Sequence, residues 1–173
     1  MKTELRLSGS GGQGLILAGV ILAEAALLDG KKAIQSQSYG PEARGGASKA
    51  EVIISDGEID FVKVTDCDLL LCLTQVAYDK YGREAAGTLI VDDSITLKYP
   101  GQGKVVKAPI IATAAEKAGR VMVSNIVALG LMNATSKLVS KEALEKAVLA
   151  RVPKGTEELN RKALDYGYGL AEA

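Results

Sequence analysis

Short runs in which apolar and polar residues alternate fill the first part of the chain, and helical spacing takes over in the last part. Glu4-Leu5-Arg6-Leu7-Ser8 alternates as a first strand, and Leu15, Ile16, Ala18, Gly19, Leu22, Ala23, Ala25 and Ala26 make the apolar face of a helix that stops near Asp29-Gly30. Lys32–Gln37 and Ala47–Ser55 read as further strands, and Asp56-Gly57 is a hairpin signal that returns the chain through Glu58, Ile59 and Phe61. Residues 66–73 read as a buried strand, Gln75–Tyr81 as a short helix, and residues 87–92 and 104–108 as two more strands, the last stopped by Pro109. Helices follow over 112–118, 125–134, from a Ser140 cap onward, and over 156–170 with an acidic first turn.

Strands alternating with helices and then giving way to them predict a three-layer, Rossmann-like α/β fold. Its sheet is mostly parallel with an inserted β-hairpin, in a single domain over residues 1–173. No stretch is apolar for long enough to cross a bilayer, and the amino terminus shows no signal peptide, so a cytoplasmic protein is expected.

Between the first strand and the first helix lies Gly9-Ser10-Gly11-Gly12-Gln13-Gly14, with glycines at the G-x-G-x-x-G positions 9, 11 and 14. Phosphate groups approach a main chain closely only where side chains are missing, and a helix N-terminus adds free N–H groups and a favourable dipole. The same glycines would also serve a sharp turn with close helix–sheet packing and nothing more. A dinucleotide fold would carry an acid at the end of the second strand for the ribose hydroxyls. Here that end offers Gln35, Ser36, Gln37 and Ser38, which weakens a nicotinamide reading.

Composition narrows the chemistry. Lysine plus arginine equals aspartate plus glutamate at 21 each, so there is no basic excess for nucleic acid or an anionic membrane. With six tyrosines, one phenylalanine and no tryptophan, a base-stacking platform is not expected. The chain has no histidine, which excludes Ser-His-Asp and Cys-His centres and imidazole metal sites. Its two cysteines, Cys67 and Cys72, are too few for an iron–sulfur cluster or a four-thiolate zinc site. Five positions apart on one strand, they are expected on opposite faces as small buried thiols, with no disulfide between them.

A second unusual stretch, Ser38-Tyr39-Gly40-Pro41-Glu42-Ala43-Arg44-Gly45-Gly46, reads as a loop that presents Arg44 between glycines. A guanidinium fork held this way suits phosphate or carboxylate; the alternative is a surface pair with Glu42. In a doubly wound sheet the loops after the first two strands share one edge, so both bends would face one anion. Asn125, at the start of the most apolar helix, is expected either to cap that helix or to donate to a ligand. Gly130 and the alanines around it would let another helix or subunit approach closely, or serve ordinary tight packing inside one domain. The helix face of Tyr78, Lys80 and Tyr81 has no assignment.

The glycine turn together with Tyr39-Gly40-Pro41-Glu42-Ala43-Arg44-Gly45-Gly46 resembles the gamma subunit of 2-oxoacid:ferredoxin oxidoreductases, especially the 2-oxoglutarate and branched-chain group; the same domain occurs in pyruvate and indolepyruvate enzymes. The likeness continues through Ala47–Ser55 and returns at Ser124-Asn125-Ile126-Val127-Ala128-Leu129-Gly130. It implies a subunit of an enzyme that converts a 2-oxoacid and coenzyme A to acyl-CoA and carbon dioxide and passes electrons to ferredoxin. Thiamine diphosphate with magnesium and the iron–sulfur clusters would then sit on alpha, beta and delta (ferredoxin-like) partners, with no catalytic residue, metal or tightly held cofactor on this chain. Gly9, Gly11, Gly12, Gln13, Gly14, Tyr39, Gly40, Pro41, Glu42, Arg44, Gly45 and Asn125 become the candidate residues of a coenzyme A crevice. A free-standing nucleotide-binding module and a purely structural subunit remain alternatives.

Overall fold

The computed structural model describes residues 1–37 and 46–172. Six strands, β1 (Lys2–Ser10), β2 (Lys32–Gln37), β3 (Ala47–Ser55), β4 (Cys67–Cys72), β5 (Ala85–Asp92) and β6 (Val105–Ala108), form one sheet in the order β2-β3-β1-β4-β5-β6. β1, β4, β5 and β6 run parallel, whereas β3 is antiparallel to both β1 and β2. The helices are α1 (Leu15–Leu28), α2 (Gln75–Tyr81), α3 (Ile110–Thr113, continued by a π-helical turn over Ala114–Ala118), α4 (Ser124–Ser136), α5 (Lys141–Arg151) and α6 (Glu157–Leu170). No helix among the described residues is long and apolar enough to cross a membrane.

The three-layer α/β architecture is as expected, and the sheet is mixed. Its antiparallel insert is built differently from the sequence expectation. Asp56-Gly57 does turn the chain, but residues 58–61 form no strand; β3 pairs instead with the preceding β2. The segment after the turn is held by other bonds. Lys32 pairs with Glu58, and Thr65 N–H donates to Glu4 Oε1 at 2.8 Å.

Strand periodicity divides the apolar side chains between two faces. Leu5, Leu7, Val52, Ile54, Leu69, Leu71 and Ile90 point into the larger core, against α1, α4, α5 and α6. Leu70, Cys72, Leu89 and Val91 pack with Tyr78 and Tyr81 of α2 in a smaller one. The two tyrosines without an assignment are thus core residues. Both cysteines lie in that smaller core, which corrects the expectation of opposite faces. The register of β4 against β5 shifts between Cys67 and Leu69, where β5 spends one residue more between Ala85 and Thr88, and Cys67 at this irregular start of β4 packs in the same core as Cys72. Both thiols are free and buried, and burial pushes each up to about 12.

Arg6 is a charged group on this face, lying over the Tyr81 ring. It is nearly buried and binds Glu51 at 2.7 Å and Glu84 on the opposite side. Burial alone would lower the guanidinium, but the hydrogen bond and charge of Glu51, together with Glu84, hold it above its ordinary value.

Helix α4 is buried along most of its length, and its contact with α6 runs through two glycines. A Cβ on Gly130 would lie 2.3 Å from the Leu164 carbonyl oxygen, and one on Gly167 would lie 2.0 Å from that of Val127. The close approach anticipated at Gly130 is therefore made within the chain. Ser140 caps α5, its Oγ accepting from Ala143 N–H at 3.1 Å, while Asp29 at the end of α1 accepts from Ser140 N and Oγ.

Candidate functional site

The connections out of β1 and β4 diverge. α1 leaves β1 and covers one face, while α2 leaves β4 and covers the other, although the two strands are parallel neighbours. Such a divergence opens a crevice outside the carboxyl ends of the strands, the usual ligand position in open α/β sheets. The glycine turn occupies this rim.

Within the turn each residue has a defined task. Gln13 folds back, its Oε1 accepting from Ser10 N–H at 2.7 Å. Gly9 is needed beneath it, because a Cβ there would lie 2.2 Å from that oxygen. Gln13 thus closes the turn rather than reaching outward. Gly14 takes φ +73° and ψ 28° as the residue before α1, and Gly12 also has positive φ, at +85°. Gly11 and Gly12 are exposed, so the turn presents bare main chain to solvent. No side chain caps α1, which leaves the dipole of a fourteen-residue helix open at this end.

Asn125 meets the turn from below. Its Nδ2 donates to the Gly14 carbonyl at 3.1 Å and its Oδ1 accepts from Ile126 N–H at 2.9 Å. Helix α4 starts one residue earlier than expected, with Val123 before its first residue and no side-chain cap. Asn125 is therefore not the helix cap, and it stands beside the cleft as well as under the turn. It is a strut under the glycine turn.

A cleft of about 400 Å³ lies against this assembly, between Gly12, Gly14 and Asn125 on one side and Val152, Pro153, Thr156 and Leu159 on the other. Its wall is mostly apolar, with Leu17, Met122 and Ile126, and Arg120 stands at the edge as an exposed cation without an ion pair to any described residue. A shallower cleft of about 410 Å³ lies on the far side of the turn, lined by Ser10, Gly11, Leu15, Ile16 and Ser48. Arg120 escaped the sequence analysis, since nothing local ties it to a turn at the other end of the chain. Its only signal is Gly119, whose φ of +83° ends the preceding helical segment.

Tyr39, Gly40, Pro41, Glu42, Arg44 and Gly45 lie outside the described residues. The strands that flank them do not. Ser10 pairs with Ala47, and Gln37 with Ala50, so the end of β2 and the start of β3 lie at the rim that carries the glycine turn. Of the candidate set, Gly9, Gly11, Gly12, Gln13, Gly14 and Asn125 form one contiguous unit.

Among the described residues the site offers exposed main chain at the start of a helix and an apolar cleft. Among the described residues no group of three histidine, cysteine, aspartate or glutamate side chains is placed to hold a metal ion. Two buried thiols of raised pKa on one strand do not fit an iron–sulfur cluster.

A glycine turn at the divergence of β1 and β4, with a three-strand antiparallel edge, defines the class of this α/β domain. The chain belongs to the pyruvate ferredoxin/flavodoxin oxidoreductase family, whose model matches residues 4–170. It is 52% identical to the 2-oxoglutarate synthase subunit KorC of Methanocaldococcus jannaschii, over 99% of this chain and 95% of the relative. The crystal structure of a keto/oxoacid ferredoxin oxidoreductase gamma subunit from Geobacter sulfurreducens is 56% identical, covers 99% of this chain and 97% of its own, and superposes with a TM-score of 0.91. The pyruvate oxidoreductase subunit PORC of Thermotoga maritima is 26% identical, with a TM-score of 0.81 over 98% of this chain and 96% of its own. The resemblance to gamma subunits drawn from the two glycine motifs is borne out along the whole chain.

Proposed function

We propose that this chain is the gamma subunit of a 2-oxoacid:ferredoxin oxidoreductase acting on 2-oxoglutarate, and that its glycine rim forms part of the crevice for coenzyme A. The observation that carries the reading is the strand register. By pairing Ser10 with Ala47 and Gln37 with Ala50, it brings the glycine turn, the end of β2 and the start of β3 to one edge of the sheet. Exposed main chain at Gly11 and Gly12 and the open start of α1 suit the phosphates, with Arg44 as the second anchor. The apolar wall of Leu17, Met122 and Ile126 suits the uncharged arm of the same molecule.

In this reading, oxidative decarboxylation and electron transfer take place on alpha, beta and delta partners in the cytoplasm. Those partners hold thiamine diphosphate with magnesium and the iron–sulfur clusters, and ferredoxin is the acceptor. This chain supplies scaffold and substrate grip.

Equilibrium binding of coenzyme A to the assembled complex, with and without Arg44→Ala, tests the crevice. Affinity is expected to fall about tenfold or more on loss of one charge-assisted fork; unchanged affinity removes Arg44 from the site. Copurification of a tagged chain with thiamine- and cluster-bearing subunits tests the assembly. A lone chain that oxidised 2-oxoglutarate would overturn it.

A further inference from the structure

At the opposite rim, the amino ends of β5 and β6 open on a separate cavity of about 280 Å³. Tyr78, Arg83, Tyr99, Gln102 and Lys104 line it, together with the main chain of Gly101 to Gly103. Two cationic residues, Arg83 and Lys104, are among its lining residues, and no carboxylate is.

The charges nearby do not neutralise them. Asp79 is bound to Lys98 at 2.8 Å, Glu84 to Arg6, and the Asp68 carboxylate accepts from Glu4 N–H at 2.8 Å. Neither Arg83 nor Lys104 forms an ion pair with a described residue. Arg83 is also fixed in place. Its guanidinium carbon lies 4.3 Å from the centre of the Tyr99 ring, and that ring stacks on buried Tyr78 at 5.4 Å with planes 25° apart. The Tyr78 hydroxyl in turn accepts from Lys98 and Tyr99 N–H at 2.8 and 3.1 Å. Gln102 Nε2 donates to the Arg83 carbonyl at 3.4 Å, holding the loop against the same residue. A guanidinium stacked on a ring keeps its N–H edge free and loses little freedom on binding.

We propose that this cavity is a binding site for a small dianion, a phosphate or phosphate monoester, gripped by the Arg83 fork with Lys104 as the second charge. Two positive charges with no opposing acid match a group carrying close to two negative charges at neutral pH. A volume of about 280 Å³ suits a small free molecule. This site is independent of the coenzyme A reading, because it lies at the other end of the strands.

The test is amide-resolved NMR of the purified full chain titrated with inorganic phosphate. Saturable shifts are expected at Gly101, Gly103 and Lys104. Arg83→Gln, an exposed substitution, is expected to weaken them about tenfold or more while leaving any response at Gly12 unchanged. Acetate, a monoanion, is expected to bind about tenfold more weakly than phosphate. The proposal is overturned if these amides do not respond at about 10 mM phosphate, if Arg83→Gln binds as well as the parent, or if acetate binds equally well.

Discussion

Asn125 Nδ2 donates to the carbonyl oxygen of Gly14 across 111 positions of sequence, at 3.1 Å. This bond joins the start of the most buried helix to the residue that launches α1. Asn125→Ala would leave the Gly14 carbonyl without that donor and open space beneath the turn. A loss of about 1–3 kcal/mol is expected, read from urea denaturation as a lower midpoint with unchanged slope.

Gly14→Ala attacks the same junction from above. The added Cβ would sit 2.5 Å from Asn125 Nδ2, on a backbone whose φ of +73° already disfavours any side chain. A destabilisation of about 1–3 kcal/mol is expected. Gly12→Ala, with open space around its Cβ, would meet only the backbone cost and is expected to be milder. Equal effects from the two variants would disprove the strut.

The α4–α6 seam makes a separate prediction. Gly167→Ala forces a Cβ into the Val127 carbonyl, so the helices must part. About 1–3 kcal/mol of stability is expected to be lost, with a fall in thermal midpoint by calorimetry. Gly169→Ala, where nothing lies within 4 Å, serves as the neutral comparison.

The two thiols give a pH dependence of definite sign. Unfolded cysteines lose their protons near pH 9, whereas Cys67 and Cys72 hold theirs to about 12 in the folded chain. The native state therefore binds more protons in that window. Stability is fully present below pH 9 and falls as pH rises towards 12, by about 1.4 kcal/mol per pH unit for each thiol. The Cys67→Ala, Cys72→Ala double variant should flatten this part of the profile, measured by denaturation at pH 8 to 10. Native protein is also expected to resist thiol reagents until it unfolds.

Arg6 and Glu51, with side chains only 9% and 11% exposed, form a pair whose halves cannot be removed singly without cost. Arg6→Met leaves Glu51 buried without its fork and is expected to lose about 3–5 kcal/mol. Joining it to Glu51→Leu should recover most of that loss. No recovery in the double variant would show that the pair adds stability beyond compensating its own burial.

The glycine turn was legible in the sequence because its constraint is local. Gly9, Gly12 and Gly14 answer to a close side chain or a positive φ, and both are fixed within a few residues. The direction of β3 was not. An alternating strand such as Ala47–Ser55 fits either orientation, and its partners lie on separate segments. Asp56-Gly57 carries a hairpin signal, yet the next residues are drawn off by Lys32 and Glu4. The register shift between β4 and β5 is not legible either, because its extra residue lies on the partner strand between Ala85 and Thr88, so counting positions from Cys67 to Cys72 points to the wrong face. In the candidate site, Gln13 and Asn125 were found as residues but not in their roles, which depend on Ser10 and Gly14.

Helix α4 acts as a ruler. It touches Gly14 through Asn125 and, five positions later, is locked against α6 through Gly130. One inserted residue between these two points would turn the amide by about 100° and shift it by about 1.5 Å, away from the carbonyl it supports. Length in this stretch is therefore under tighter constraint than side-chain identity: substitutions at its intervening positions change packing by degrees, whereas an insertion or deletion disconnects the nucleotide-like mouth from the helical layer behind it.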